Sequence, residues 1–254
     1  MSGQIHVSRP AEAVVLLEID NPPSNALAEA VRQQLEAELD KIETDHSVRA
    51  VVLTGRGKGF CSGDDLREAA GRSEGDRTSL GQFGRMLDKV ESLRVPVIGA
   101  INGHAVGGGL ELALCCDIRL AAAEARFLAA GVNVGLMASV YRLPRLVGTA
   151  AASSMILTGQ FIDAAKALGI GLVAEVHTRE QLPAAALDLA QRIATRAPLS
   201  VEASKRMIRQ AFDLTPEAAR EASGRELKVL TRSKDHREGV AAFVAKREAA
   251  FTRS

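Results

Sequence analysis

The sequence has 254 residues, of which 46% are hydrophobic, and its 32 Lys and Arg residues against 31 Asp and Glu residues leave a formal net charge of +1. This balance excludes the basic surface typical of nucleic-acid-binding proteins, and no uninterrupted apolar run is long enough to predict a membrane span. The three cysteines (Cys61, Cys115 and Cys116) lie in apolar stretches without metal-ligand spacing, which indicates reduced packing residues. The first residues contain no apolar signal core, so we expect a cytoplasmic globular protein with no metal site.

The first half of the chain alternates predicted strands with predicted helices. Residues 5–8 and 14–19 form a candidate strand pair, and continuous apolar runs at 49–53 and 95–101 predict strands buried on both faces. An amphipathic helix is predicted between these two runs, over residues 80–93. An earlier helix is predicted from the apolar stripe Leu27, Val31, Leu35, Leu39 and Ile42. The pattern predicts an α/β fold.

The last part of the chain has only helical patterns. We therefore predict an α/β core domain over residues 1–195 and a helical C-terminal region over 196–254, whose amphipathic helices need to pack on the core or on a neighbouring subunit. Thr215 is predicted to cap one of these helices, because proline follows it. Asp235 and Glu238 have the spacing of a capping box and predict another helix start.

Two loops share one plan, over residues 55–65 and 102–111. Each loop follows a predicted buried strand, is rich in glycine and precedes a helix. Ligands of α/β proteins collect at the carboxyl ends of strands, and glycine lets a main-chain N–H approach a ligand closely. The two loops could therefore direct two N–H groups at one oxygen atom, which would form an oxyanion hole.

One carboxylate, Glu111, lies within the apolar pattern after the second loop. If the helix begins near Gly107, Gly108 and Glu111 share one helix face, and the carboxylate lies beside a donor of the oxyanion hole. A base in that position suits a reaction at the carbons next to a carbonyl group, where charge develops on oxygen while a proton moves. The alternative is that Glu111 only complements the dipole of the helix.

Four motifs resemble those of one known family, in the same order along the chain. They are NPPSNAL (21–27), GKGFCSGDDL (57–66), PVIGAINGHAVGGGLELALCCDIRLAA (96–122) and DHREGVAAFVAKREAAF (235–251). The sequence is similar through them to the enoyl-CoA hydratase/isomerase family, the crotonase superfamily. The resemblance implies a crotonase-like spiral of ββα units with a helical C-terminal trimerisation region, assembled as a trimer or a dimer of trimers. It also implies an acyl-CoA thioester as substrate, with coenzyme A as part of that substrate and no separate cofactor.

The resemblance also assigns roles to particular residues. The thioester oxygen would be held by the main-chain N–H groups of Asp64 and Gly108, and Glu111 matches the first of two glutamates that hydratases of the family use. These three residues are the expected catalytic groups. The expected substrate-binding residues are Ala26, Leu27, Ser62, Gly63, Asp64, Leu66, Gly107, Gly108, Gly131 and Tyr141.

The sequence departs from the family pattern at the second glutamate, whose position falls on Gly131. The loop after it is shortened to Ala138–Tyr141, and Asp64 stands where the family usually has a small or apolar residue. The carboxylate of Asp64 could act as the missing acid or repel an acidic substrate, and the Tyr141 hydroxyl could assist. We therefore expect a hydratase-type lyase that is weak on simple enoyl-CoA substrates. The alternatives are isomerisation, decarboxylation or thioester hydrolysis in the same scaffold, or acyl-CoA binding without turnover.

Overall fold

A computed structural model describes residues 3–71 and 77–254 of the chain. The strands are β1 (Gln4–Ala11), β2 (Val14–Asp20), β3 (Ala50–Gly55), β4 (Val97–Ile101), β5 (His104–Val106), β6 (Ile118–Ala122), β7 (Arg126–Leu128), β8 (Ile162–Asp163) and β9 (Glu175–His177). The helices are α1 (Glu29–Thr44), α2 (Leu66–Ala70), α3 (Arg77–Ser92), α4 (Gly108–Cys115), α5 (Arg142–Thr158), α6 (Ala164–Gly169), α7 (Leu182–Ala194), α8 (Pro198–Gln210), α9 (Pro216–Leu230) and α10 (Lys234–Ala245). The predicted α/β fold with a helical C-terminal region is confirmed.

The main sheet has the strand order β1-β2-β3-β4-β6-β9. Only the β1–β2 pair is antiparallel, and the other pairs are parallel. Alternate residues of β3 enter two separate cores: Val51 and Leu53 pack toward α1 and α3, whereas Ala50 and Val52 pack toward α7. A strand covered on both faces needs apolar residues at every position, which explains its continuous β-branched run.

The two glycine-rich loops leave the same edge of this sheet. Strands β3 and β4 are parallel neighbours, with Thr54 paired to Ala100, so the segments that follow Gly55 and Ile101 start side by side. The second loop contains β5, which pairs with β7 in a small second sheet and leads directly into α4. The expectation that both loops meet at the carboxyl ends of buried strands is confirmed.

Of the two helix starts predicted in the C-terminal region, the structure confirms the one at Thr215 and contradicts the one at Asp235. Thr215 caps α9, and its hydroxyl accepts a hydrogen bond from the N–H of Ala218 at 3.3 Å. The predicted capping box of Asp235 and Glu238 is wrong, because Ser233 provides the N-cap of α10 two residues earlier. The carboxylate of Asp235 is buried and accepts hydrogen bonds from the main-chain N–H groups of residues 252 and 253.

Among the helices in the described ranges, none is both long and apolar enough to cross a bilayer.

A buried charge cluster joins the C-terminal region to the core. Arg253 donates two hydrogen bonds to the carboxylate of Glu202 on α8, at 2.9 and 3.0 Å, and Arg94 donates a third at 2.6 Å. Burial alone would raise the pKa of Glu202, but the hydrogen bonds from Arg253 and Arg94 outweigh it and hold this pKa below its usual value of 4.5. Because the pKa of Glu202 is lowered in the folded state, its ionised carboxylate stabilises the fold fully above pH 4.5. This stabilisation is lost as the pH falls through the folded-state pKa of Glu202.

We predict that Glu202→Gln lowers the free energy of unfolding at neutral pH by about 3 kcal/mol, because it leaves two largely buried guanidinium groups without their counter-charge. The difference between variant and wild type should shrink as the pH falls below 4.5 and through the lowered folded-state pKa of Glu202, because the wild-type carboxylate then takes up a proton. Urea unfolding at several pH values measures both effects.

Glu226→Gln is the matched control for this measurement. Glu226 also pairs with an arginine, Arg206 of α8, but the arginine is about half exposed. Its loss should cost less than about 1 kcal/mol. Equal losses in the two variants, or a Glu202→Gln difference independent of pH, would contradict the assigned role of the cluster.

Candidate functional site

The two glycine-rich loops are in direct main-chain contact. The N–H of Cys61 donates to the carbonyl of His104 at 3.0 Å, and the N–H of Val106 donates back to the carbonyl of Cys61 at 3.0 Å. Two residues further on, Gly63 has φ +89°, and a Cβ atom there would lie 2.6 Å from the nitrogen of Gly108. Only glycine fits this position, because a side chain would collide with the main chain of the other loop.

A third segment, the NPPSNAL motif, is bound to the first loop. Leu27 donates its N–H to the carbonyl of Gly63 at 2.7 Å, and the hydroxyls of Ser24 and Ser62 are 2.9 Å apart. The buried Asn25 has φ +56° and donates its side-chain amide to the carbonyls of Arg56 and Gly59. The two residues predicted from this motif, Ala26 and Leu27, therefore lie beside the predicted residues of the first loop.

Glu111 lies one helical turn after Gly108 in α4. The N-cap residue of the helix is Gly107, whose carbonyl accepts the N–H of Glu111 at 3.0 Å. The side chain of Glu111 is only 13% exposed, and its Oε2 lies 3.4 Å from Nη1 of Arg142. The carboxylate is therefore turned into the protein and not toward bulk solvent, as a base acting on a bound substrate requires.

Sequence reasoning missed the charge cluster around Glu111. Arg142, at the start of α5, pairs with Asp88 at 3.0 Å and with Glu91 at 2.8 Å, both on α3, in addition to Glu111. One guanidinium thus faces three carboxylates. The i, i+3 spacing of Asp88 and Glu91 on a helix was a signal that both lie on one face, but no sequence pattern linked them to Arg142.

Asp64, which stands where the family usually has a small or apolar residue, has its carboxylate paired with a buried arginine. Oδ1 of Asp64 lies 2.9 Å from Nη1 of Arg32, and the Asp64 side chain is 27% exposed. One oxygen of the Asp64 carboxylate is thus engaged as a hydrogen-bond acceptor for a guanidinium group. Arg32 is another contact that the sequence did not indicate.

The space beside Gly131 is filled by main chain. Gly131 is buried at the start of a 3₁₀ turn over Gly131–Val134. A Cβ atom on it would lie 2.8 Å from the carbonyl oxygen of Leu136 and 2.9 Å from the nitrogen of Ala138. The shortened loop therefore occupies the room that a longer side chain at this position would need.

Two of the predicted substrate-binding residues, Leu66 and Tyr141, are largely exposed. Leu66 begins α2 with its side chain 63% exposed. Tyr141 lies against the guanidinium of Arg145, 4.7 Å from its ring centre, and lines a cavity of about 520 Å³ beside α8 together with Phe212. Neither Asp64 nor Glu111 lines this cavity.

The cysteines are free and buried, as the sequence suggested. Burial raises the pKa of the Cys61 and Cys116 thiols to about 12, and it raises that of Cys115 well above its usual value. A thiol with so high a pKa is not a nucleophile at neutral pH.

Comparisons with known proteins match one family over nearly the whole chain. A sequence model of the enoyl-CoA hydratase/isomerase family matches residues 9–254. The chain is 34% identical to the 2,3-dehydroadipyl-CoA hydratase of Escherichia coli (strain K12), over 98% of each chain. It is 38% identical over 215 residues to the (E)-benzylidenesuccinyl-CoA hydratase of Thauera aromatica, which covers 83% of this chain and 84% of that protein. The crystal structure of an enoyl-CoA hydratase from Bacillus anthracis superposes with a TM-score of 0.95 at 32% identity, over 98% of this chain and 99% of that one.

We predict that Gly63→Ala weakens the binding of an acyl-CoA thioester at least tenfold. The new Cβ atom would force the main chain at Gly63 away from the nitrogen of Gly108 and would separate the two N–H groups that are expected to hold the thioester oxygen. Isothermal titration calorimetry with butyryl-CoA, a saturated thioester that cannot be hydrated, measures the affinity.

Gly57→Ala is the matched control, since Gly57 lies in the same loop and also has a positive φ, +74°, but has no atom within 4 Å of the added Cβ. It should share the conformational cost, about 1 kcal/mol of stability, without the loss of affinity. Equal affinities for Gly63→Ala and wild type would show that contact between these loops does not shape the binding site.

Proposed function

Because the chain belongs to the enoyl-CoA hydratase/isomerase family and has its fold, we propose that this enzyme adds water to the double bond of an enoyl-CoA thioester with Glu111 as its single acid–base group. The observation that carries the proposal is the position of the Glu111 carboxylate. It lies one turn after Gly108, turned inward, on the helix whose N-terminus abuts Gly63.

The oxyanion hole in this proposal consists of the N–H groups of Asp64 and Gly108. When water attacks the β-carbon, the electron pair of the double bond moves toward the thioester and negative charge develops on its oxygen. Two fixed main-chain donors and the N-terminus of α4 stabilise that charge without reorganisation of solvent. This electrostatic contribution is commonly the largest in such reactions.

Glu111 handles the proton in two steps. Its carboxylate accepts a proton from the attacking water as the new C–O bond forms at the β-carbon, which leaves an enolate. The same carboxyl group then returns a proton to the α-carbon, so that one water is added and the enzyme regains its starting charge. Nη1 of Arg142, 3.4 Å from Oε2 of Glu111, helps to hold this carboxylate in place.

The replacement of the second glutamate by Gly131 limits the rate in this scheme. A single carboxylate must both orient the water and carry the proton, and a missing general acid–base group commonly costs a factor of about 10² to 10⁴. The main-chain atoms of Leu136 and Ala138 around Gly131 support the view that no side chain from that turn makes up for the loss.

A second candidate function is double-bond isomerisation. It moves a proton between two carbons through the same enolate and needs one base but no positioned water. The single inward-facing carboxylate at the end of the two loops favours it as the alternative. Decarboxylation, thioester hydrolysis and binding without turnover use the same oxyanion hole but draw no particular support from Glu111.

Self-association remains part of the proposal. The C-terminal region exposes large apolar side chains, among them Ile208, Phe212, Phe243 and Val244, each more than 70% exposed in the single chain. Exposed apolar side chains at this density are typical of surfaces that another subunit covers. They support the trimer, or dimer of trimers, that the family resemblance implies.

We expect weak hydration of crotonyl-CoA, with kcat/KM at least about a hundredfold below that of a hydratase with both glutamates measured in parallel. Loss of the enoyl absorbance reports hydration, and liquid chromatography of 3-enoyl and 2-enoyl thioesters reports isomerisation. Rates equal to the two-glutamate enzyme would contradict the one-carboxylate mechanism. Tight binding without product from any thioester would favour a binding protein.

We predict that Glu111→Gln lowers kcat by about 10² to 10⁴ with whichever thioester is turned over, and changes the affinity for butyryl-CoA less than threefold, because the amide keeps the shape but cannot accept the proton. Glu91→Gln is the comparison variant, since Glu91 is another partner of Arg142. It should lower kcat by about tenfold or less. Equal losses in the two variants would mean that the charge cluster, and not Glu111 alone, carries the proton.

A further inference from the structure

Ser139 is a buried serine in the shortened loop that follows the turn at Gly131. The residue is 4% exposed, and its Oγ has no hydrogen-bond partner in the part of the chain that the structure describes. A serine near the start of a helix commonly caps that helix, but the N-cap residue of α5 is Tyr141. Capping therefore does not account for the hydroxyl of Ser139.

The loop around Ser139 is arranged in a way that folding alone does not favour. The φ of Ser139 is +61°, in the left-handed region that is unfavourable for a residue with a Cβ atom. The apolar side chains of Leu136 and Met137 are 60% and 79% exposed, whereas the Ser139 hydroxyl is inside. A second subunit over the apolar side chains would leave the hydroxyl as it is. Because backbone strain and an unsatisfied buried hydroxyl both destabilise the folded chain, a function of the hydroxyl is the better explanation.

Contacts on the N-terminal side of Ser139 lead to the oxyanion site. Its neighbour Ala138 lies against Gly131, where an added Cβ atom would be 2.9 Å from the Ala138 nitrogen. The residue before Gly131, Ala130, lies in turn against Gly107, where an added Cβ atom would be 3.5 Å from the Cβ of Ala130. Gly107 is the N-cap residue of α4 and directly precedes the proposed second oxyanion donor.

Contacts on the C-terminal side of Ser139 lead to Glu111. The carbonyl of Ser139 accepts the N–H of Leu143 at 3.3 Å, so Ser139 takes part in the first turn of α5. Arg142 belongs to the same turn, and its Nη1 lies 3.4 Å from Oε2 of Glu111. A single helical turn thus joins Ser139 to the base of the proposed reaction.

We propose that the hydroxyl of Ser139 binds the attacking water in the occupied site and shares with Glu111 the task of orienting it. The inference rests on the proposed function, because it needs an enoyl thioester that is hydrated with Glu111 as the base. The water donates one proton to the Glu111 carboxylate and its other O–H to Oγ of Ser139, which leaves a lone pair for the β-carbon. Because Oγ is shielded in the chain alone, the loop shifts slightly when thioester and water bind.

Ser139 does not replace the second glutamate in full. A serine hydroxyl can orient a water molecule, but it does not take up its proton at neutral pH. Glu111 therefore remains the single acid–base group, and the low rate expected for hydration stands.

The test compares hydration with binding in two variants that lack the hydroxyl. Ser139→Ala keeps the strained φ, whereas Ser139→Gly removes the hydroxyl and suits a positive φ. We expect both variants to lower kcat for crotonyl-CoA about tenfold or more and to change the affinity for butyryl-CoA less than threefold. The urea midpoint of Ser139→Ala should not fall, because the variant loses only a hydroxyl that has no partner.

A structural role for the serine gives a different pattern. If the hydroxyl only holds the loop, Ser139→Ala weakens butyryl-CoA binding as much as it lowers kcat, or its urea midpoint falls, and either result would overturn the proposal. An unchanged kcat, or a tenfold difference in kcat between Ser139→Ala and Ser139→Gly, would overturn it as well. Ser153→Ala is the matched control, because Ser153 is an exposed serine further along α5. It should change neither kcat nor affinity.

Failure of this inference is distinguishable from failure of the proposed function. If wild type hydrates crotonyl-CoA, Glu111→Gln does not, and Ser139→Ala matches wild type, only the inference is wrong. If wild type does not hydrate crotonyl-CoA, or if Glu111→Gln hydrates it as fast as wild type, the proposed function is wrong, and the role of Ser139 is wrong with it.

Discussion

The site depends on two main-chain segments that approach without any side chain between them. A Cβ atom added at Gly63 would lie 2.6 Å from the nitrogen of Gly108, which is too short for a relaxed contact. Such an approach is possible only because β3 and β4 are parallel neighbours, buried on both faces, that release their loops at the same edge of the sheet. The sheet thus fixes the start of both loops, and with them the two N–H groups that are proposed to form the oxyanion hole.

Both unusual carboxylates of the site are bound to arginines on other elements. Glu111 faces Arg142 on α5, and Asp64 faces Arg32 on α1. In a partly buried site, a lone carboxylate would repel a developing oxyanion. An arginine beside each carboxylate offsets part of its negative charge, close to a reaction that is proposed to generate negative charge itself. The two arginines differ in their other contacts: Arg142 also pairs with two further carboxylates, whereas Nε of Arg32 has no hydrogen-bond partner among the described residues.

The sequence was sufficient for the fold, because the relevant signals are local. The continuous apolar run of β3, the stripe of α1 and the glycine-rich segments each act over a few residues, and the structure has them where the pattern indicates. Glu111 could be singled out for the same reason, since it is three residues from Gly108 on one helix. The pairs could not be read this way: Arg32 and Asp64, or Arg142 and Glu91, are brought together only by the packing of separate helices. The capping-box pattern at Asp235 failed because a distant segment, the chain's last residues, competes for the same carboxylate.

The turn at Gly131 has a bearing on how the chain could change over evolutionary time. The main-chain atoms of Leu136 and Ala138 fill the volume that an acidic side chain at Gly131 would require. An acidic side chain at position 131 would therefore need a longer turn to make room for it, so a replacement of Gly131 would have to arise together with an insertion.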